Sequence, residues 1–201
     1  MLIKKKGFSL IELLVALLLG MLLLAMVISL YVLTVSNGAK SLKYSRLRTD
    51  LQSMMALIET DIRRAGYGGK VFLVASGGTQ TVDWLDNCII YSYDSDLNEQ
   101  LDDINKMGFR FNSEQNAIQF GTAVNPLASK CFEQGNWFAL SDNQFIKITA
   151  LEFTVSSATN TTGTVTMRTV EIDLAGELAA DADFKHAINT KVQVRNLEFN
   201  N

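Results

Sequence analysis

Apolar residues form one unbroken block near the start of the chain. No charged side chain occurs between Glu12 and Lys40, and residues 13–35 are almost entirely Leu, Val, Ala, Met and Ile. A helix rises about 1.5 Å per residue, so a segment of this length spans the roughly 30 Å hydrocarbon core of a bilayer. The pattern predicts a membrane-spanning helix at about residues 13–35.

After Gly38 the pattern changes from uniformly apolar to amphipathic. On a helical wheel that starts at Leu47, the apolar residues share one sector about 100° wide, and Leu57 is the exception. Gly66 and the glycines after it are predicted to end the helix. One long helix is therefore predicted over residues 8–66, with an apolar stripe on its second half formed by Leu47, Leu51, Met54, Met55, Ile58, Ile62 and Ala65.

The short alternating stretches in residues 67–201 predict a globular head built mainly of strands. In two stretches the apolar alternation changes phase, after Ile148 and after Met167, which predicts a bulge or bend at each place. The predicted fold class is α+β, with a twisted antiparallel sheet packed on the amphipathic half of the helix. Alternating residues place strands at 70–75, 88–93, 108–112, 117–121, 137–140, 145–155, 165–174 and 191–199.

Composition and charge exclude several function classes. The 201 residues are 19% charged with a net charge of -3, which is unlike a disordered acidic tail or a polybasic arm. One histidine and two cysteines disfavour a structural zinc site and a histidine-centred catalytic site. Asp183 precedes His186 by three residues, but no Gly-x-Ser-x-Gly nucleophile motif accompanies them. We expect no enzymatic activity.

Charges around the apolar block predict its orientation. Lys4, Lys5 and Lys6 precede the block, and no equally dense cluster follows it. By the positive-inside rule the N-terminus stays in the cytoplasm and the chain after about Ser36 is exported. The block is also longer than the roughly 7 to 15 apolar residues of a cleavable secretory signal. We therefore expect a single-pass protein with an exported head.

Glu12 is an anomaly at the edge of the predicted span. A carboxylate there costs about 2 to 3 kcal/mol to insert, and such groups usually face a partner rather than lipid. Two interpretations are open at this point. The side chain reaches the headgroups one turn away, or it meets a cation inside an assembly.

The residues around Glu12 favour the second interpretation through a resemblance. Residues 6–16, with glycine, then phenylalanine, then a glutamate four residues further on, resemble the prepilin signal of type IV pilins and of type II secretion pseudopilins. In that family a membrane aspartyl peptidase cuts after the glycine and methylates the new N-terminus. The resemblance implies cleavage between Gly7 and Phe8, removal of residues 1–7, and a type IV pilin-like fold. It also implies that Glu12 attracts the N-terminal amine of a neighbouring subunit during assembly.

Two further segments resemble one branch of this superfamily. Residues 51–68, at the predicted helix end, resemble PilW-type minor pilins and the related J-type pseudopilin. The residues Val192, Val194, Arg195 and Asn196 near the C-terminus also resemble that group. The expected partners are then other minor pilins, major pilin subunits, prepilin peptidase and the inner membrane. The expected location is the bacterial inner membrane, with the head periplasmic, followed by the pilus fibre or its tip.

Three functions remain open on these grounds. The chain is a minor pilin that helps to start or assemble a type IV pilus, a minor pseudopilin of a type II secretion system, or a tip-displayed adhesin or DNA-binding module. From Lys40 onward there are fifteen basic and twenty acidic residues, a net charge of -5, so no nucleic-acid partner is expected. The exception is a local basic patch formed by Arg46, Arg48, Arg63 and Arg64.

Two side-chain sets in the head have alternative interpretations. Cys88 and Cys131 would be exported to an oxidising compartment, so they form a disulfide bridge or remain two buried thiols. Asp94, Asp96 and Asn98 alternate in an acidic stretch, which is a weak calcium pattern or a solvated acidic loop. An EF-hand would need a glycine at the position of Glu99. No other cofactor or metal is expected.

Overall fold

The computed structural model describes residues 7, 9–75, 78–85, 87–125 and 135–199. The chain divides into two compact units, Met1–Lys43 and Tyr44–Asn201, which are taken in turn. One helix, α1, runs over Leu10–Arg64 and contributes to both. The predicted bounds, residues 8–66, differ from these by two residues at each end.

In the first unit, α1 continues through Asn37 and Gly38 without a break. The described side chains of this unit are exposed, as expected for a helix that does not contribute to a soluble core. Its hydroxyl groups are satisfied within the helix, since Ser29 Oγ donates to Ala25 O at 2.9 Å and Thr34 Oγ1 donates to Leu30 O at 2.8 Å. Such bonds remove the cost of placing hydroxyls in hydrocarbon.

In the second unit, the predicted apolar stripe of α1 is buried as a whole. Leu57, the predicted exception, is 42% exposed. Gly66 follows the helix with a φ of 75°, and a Cβ there would lie 2.9 Å from Thr81 Cγ2. Only glycine meets both conditions at low cost, so the predicted helix stop is confirmed.

The first of two sheets is an antiparallel meander of five strands in the order of the chain. Ile89 and Tyr91 of the second strand face the main core, whereas Cys88 and Ile90 contact a small cluster on the opposite face. This strand is therefore covered on both faces. The strands are β1 (Val82–Leu85), β2 (Cys88–Ser92), β3 (Lys106–Asn112), β4 (Ala117–Thr122) and β5 (Asn136–Ala139).

The second sheet contains the longest strands of the described chain. Its strands are β6 (Ile146–Thr159), β7 (Val165–Leu178), β8 (Asp181–Gln193) and β9 (Glu198–Phe199). β7 lies between β6 and β8, and its first residues pair with β9. All pairings are antiparallel. The inward faces of both sheets and the buried stripe of α1 form one continuous hydrophobic core.

The α+β class and the antiparallel pairing are confirmed, although the strands form two sheets rather than one. The predicted strand at 70–75 is wrong, because Lys70–Phe72 is a short 3-10 helix and only Val74 bridges to Gln80. Three glycines with positive φ precede it and turn the chain away from an extended path. The predicted strand at 191–199 is also wrong in extent, since β8 ends at Gln193 and the chain bends there.

The two predicted irregularities had different outcomes. The register shifts between Ile148 and Ala150 in β6, which confirms the first bulge. No register shift occurs near Met167, so the second bulge is wrong. Val165 and Met167 simply lie on the other face of β7, where they are half-buried. The change of phase there reflects a sheet with apolar residues on both faces.

Candidate functional site

The segment that carries the predicted processing site lies at the start of α1. Gly7 is exposed, and a Cβ built on it would meet nothing within 4 Å. Phe8 and the six residues that begin the chain lie outside the described residues. Cleavage between Gly7 and Phe8 therefore stays a prediction, and it requires the accessible backbone that Gly7 has.

Glu12 has a local role that the sequence interpretation missed. The Ser9 backbone N–H donates to Glu12 Oε2 at 2.9 Å, and Ser9 O accepts the first helical bond from Leu13 N at 3.2 Å. Ser9 and Glu12 thus stand at the N-cap and N3 positions, the spacing of a capping box. The helix N-terminus also attracts the negative charge. The sequence signal was the Ser-x-x-Glu spacing just before an apolar run.

Beyond Glu12, α1 exposes an apolar surface that a soluble domain would bury. The helix is long and apolar enough to cross a membrane, and none of its most apolar stretch is buried. The exposed fraction reaches 82% at Leu10 and 69% at Tyr31. Exposure on this scale marks a surface that lipid or other subunits cover. A lone carboxylate at one end of such a surface suits helix association.

In the head, a carboxylate of α1 is buried against the first sheet. Asp61 accepts a hydrogen bond from Tyr91 Oη at 2.9 Å and from Tyr93 Oη at 3.4 Å. Burial raises the pKa of Asp61, and the tyrosine hydrogen bonds and nearby Arg64 oppose that rise. Burial and the Asp61 charge raise the pKa of Tyr91 well above its ordinary value, so the phenol remains a donor. No pattern in the sequence marked Asp61 as a candidate.

The end of α1 is closed by the C-terminal segment. Asn196 Nδ2 donates to Arg64 O at 3.1 Å and to Ala65 O at 2.8 Å, and Arg195 N donates to Arg63 O at 3.2 Å. These bonds satisfy carbonyls that a helix end leaves without a partner. The two segments that resembled PilW-type chains are therefore in direct contact.

The alternating acidic residues lie in the loop after β2. Both Asp94 oxygens accept backbone N–H groups, from Asn98 at 3.2 Å and from Glu99 at 3.1 Å. Asn98 Nδ2 donates to Asp96 Oδ2 at 2.8 Å and to Asp102 Oδ2 at 2.9 Å. In the part of the chain that the structure describes, no group of three Asp, Glu, His or Cys side chains is arranged to hold a metal. Calcium binding stays an untested expectation.

Two other candidate sets lie apart from this loop. Cys88 is fully buried beside Val124 and is disulfide-bonded rather than a free thiol. Cys131 lies outside the described residues, so its pairing with Cys88 stays a prediction. Asp183 and His186 are both in β8, where a separation of three places their side chains on opposite faces. The structure therefore does not bring these two together as an acid–base pair.

A glycine, then a long apolar helix with a glutamate in its first turn, then antiparallel sheets together define a type IV pilin-like protein. Residues 2–28 match the family model described as the prokaryotic N-terminal methylation motif. Residues 40–194 match the family model of prepilin peptidase-dependent protein B, which covers well over half of the chain. The chain belongs to the prepilin peptidase-dependent protein B family. Searches of curated proteins and of solved structures each returned no match.

Proposed function

We propose that this chain is a PilW-type minor pilin that takes part in the initiation and assembly of a type IV pilus. The observation that carries the proposal is the exposed apolar surface of α1 with Glu12 as its only charge before Lys40. Membership of a prepilin peptidase-dependent family supports the peptidase as the first partner and α1 as the membrane anchor. Other minor pilins and the major pilin are the proposed later partners.

Charge pairing supplies the driving force in this proposal. Cleavage after Gly7 would leave the amine of Phe8 as a cation at the end of a neighbouring helix. Two unit charges about 4 Å apart attract by about 4 kcal/mol at an effective dielectric constant of about 20. The Ser9 N–H that Glu12 accepts is neutral, so it orients the carboxylate but leaves its charge uncompensated. A neighbouring amine would compensate that charge.

The same proposal implies the orientation of the chain in the membrane and the oxidation of its two cysteines. The lysines before the span hold the N-terminus in the cytoplasm, and the head is periplasmic before it enters the fibre. The periplasm oxidises thiols, so we propose that Cys88 pairs with Cys131 and stabilises the head. Intact-mass measurement before and after reduction checks this pairing. If the bridge is present, reduction adds the mass of two hydrogens and releases no bound thiol.

A gene deletion with complementation tests the proposed function. In a strain that lacks the chain, surface pili are counted by electron microscopy and secretion of a type II substrate is measured. The minor pilin role is supported if the deletion strain loses its pili, the wild-type chain restores them and the Gly7→Val chain does not. Normal pili with lost secretion would assign the chain to a type II secretion pseudopilus instead. Normal pili with normal secretion would overturn both.

A further inference from the structure

A cleft of about 310 Å³ opens in the head where α1 ends. Arginine side chains from two distant parts of the sequence line it, since Arg63 and Arg64 end α1 and Arg195 follows β8. Tyr67 and Tyr93 provide aromatic walls. The cleft is larger than a single side chain and lies at the lower end of the volumes of ligand pockets, and nothing in the capping role of the C-terminal segment requires three guanidinium groups there.

The positive charge of this cleft is only partly compensated. Arg63 contacts Glu59 at 3.4 Å, but neither Arg64 nor Arg195 makes a salt bridge within the described ranges. Arg64 lies over the ring of Tyr93, with its Cζ 5.8 Å from the centroid. Arg64 also acts on the Asp61 carboxylate and hydrogen-bonds the Tyr93 hydroxyl, so its charge is partly compensated, and an anion in the cleft would meet Arg195 together with the remaining donors of Arg64.

The acidic groups nearest to the cleft are already engaged. Asp94 is one of its lining residues, yet both of its oxygens accept backbone N–H groups of its own loop. Asp61, one turn before the end of α1, accepts hydrogen bonds from Tyr91 and Tyr93. These hydrogen bonds orient the carboxylates but do not neutralise them, so the lining of three arginines and Asp94 keeps a net charge of +2.

Backbone contacts fix the arginines relative to one another. Arg195 N donates to Arg63 O at 3.2 Å, and Asn196 Nδ2 donates to Arg64 O at 3.1 Å. The two walls of the cleft are thereby joined by bonds that do not use the guanidinium groups. A ligand would meet arginines whose backbones are held at a fixed separation, which lowers part of the entropy cost of binding.

We propose that this cleft binds a carboxylate presented by an acidic segment of a neighbouring subunit's head. Guanidinium groups recognise carboxylates through paired, charge-assisted hydrogen bonds, and the cleft has room for an acidic side chain together with part of the segment that presents it. A polyanion fits less well, because the adjacent loop carries Asp96, Glu99, Asp102 and Asp103 and would repel it. The inference rests on the proposed assembly role, since it assigns a surface through which the head docks.

Binding to the full-length chain in detergent micelles tests the proposal. The probe is a fluorescein-labelled peptide, Gly-Glu-Tyr-Glu-Gly with an amidated C-terminus, and the comparison peptide has Gln at both Glu positions. We expect the Glu peptide to raise fluorescence anisotropy, and Arg64→Gln and Arg195→Gln to weaken its binding about tenfold each. Arg48→Gln, an exposed helix arginine away from the cleft, is the matched control and should leave binding unchanged.

Several outcomes would overturn the cleft as a carboxylate site. These are equal binding of the Gln peptide, unchanged binding in both cleft variants, or no binding of the Glu peptide at all. Tighter binding of a DNA duplex or of inorganic phosphate at the same salt concentration would assign the cleft to phosphate instead. The assay needs no pilus, so its failure leaves the deletion experiment to decide the assembly role by itself.

Discussion

Tyr91 in β2 donates its phenolic hydrogen to Asp61 Oδ2 of α1 across 2.9 Å. Tyr93 donates to the other oxygen at 3.4 Å, and its ring stacks at 8° to that of Tyr91. The helix is thus joined to the first sheet by a buried carboxylate and not by apolar contact alone. An ionised group in such a place costs stability, which its hydrogen bonds offset.

The stability of the head should therefore depend on the protonation of Asp61. Burial raises the pKa of Asp61 in the folded state above its ordinary value of about 4, so the folded chain holds this proton more tightly than the unfolded chain. The contribution is present at acidic pH and is lost as the pH rises through the raised pKa. Against Asp61→Asn, wild type should lose relative stability as the pH rises above about 4 and through the raised pKa of Asp61.

Tryptophan fluorescence during urea unfolding measures this difference, since Trp84 and Trp137 both lie in the first sheet. The matched control is Asp50→Asn, which removes a more exposed helix carboxylate paired with Arg46 at 3.5 Å. Asp50→Asn should follow the pH dependence of wild type. Parallel curves for wild type and Asp61→Asn would show that Asp61 is not the group that titrates.

A buried ion pair should hold the C-terminal strand. Arg168 Nε donates to Glu198 Oε1 at 2.6 Å, with side chains 12% and 3% exposed, and Thr81 donates to the same oxygen. Glu198→Leu removes the carboxylate that contacts Arg168 and leaves the weaker influence of Asp83, so we expect a loss of about 3 kcal/mol in the free energy of unfolding. The double variant Arg168→Met with Glu198→Leu should recover much of that loss.

The pair of Lys191 and Glu171, 3.1 Å apart and more exposed than the buried pair, supplies the control for this experiment. Glu171→Leu should change the urea midpoint little, because exposed ion pairs contribute little to stability. If Glu198→Leu is as mild as Glu171→Leu, the buried pair is not a determinant of stability. If the double variant is no better than Glu198→Leu, the loss comes from the Thr81 bonds instead.

Hydrophobic periodicity predicted the elements whose apolar residues repeat regularly, and it gave no signal for residues outside such a repeat. The apolar stripe of α1 was predictable residue by residue because one helix face repeats every three or four positions. Most of β8 was missed, and only its last three residues were predicted, because its polar residues, such as Asp183 and Lys185, leave a weak alternation in an edge strand. Asp61 gave no periodic signal, since an acid on an apolar face is recognised only once its partners 30 residues away are in place.

Substitution of Gly7 should block processing. Gly7→Val adds a β-branched side chain at the bond that the peptidase must reach in an extended, narrow site. We expect a precursor that keeps residues 1–7 and remains in the membrane, whereas the wild-type chain begins at methylated Phe8. Intact-mass measurement of membrane-extracted protein distinguishes the two. Gly20→Val, inside the span, is the matched control and should be processed normally; an intact Met1 in wild type would refute cleavage altogether.

The two roles of Glu12 can be separated by substitution. Glutamine keeps an oxygen that accepts the Ser9 N–H, as in the Gln form of a capping box, but removes the charge. Alanine removes both. We expect Glu12→Gln and Glu12→Ala to be cleaved and methylated like wild type and to enter filaments at least about tenfold less, because the attraction to a neighbouring amine is lost.

Immunoblots of sheared filaments against membrane fractions measure this incorporation. Ser9→Ala is the control, since it keeps both the Ser9 N–H and the Glu12 charge and should assemble normally. Equal losses of incorporation in Glu12→Gln and Glu12→Ala would show that assembly needs the negative charge of Glu12. Normal incorporation of Glu12→Gln together with failure of Glu12→Ala would show that the cap, and therefore the order of the first helical turn, is what assembly needs. That result would contradict pairing between Glu12 and the amine of an adjacent subunit.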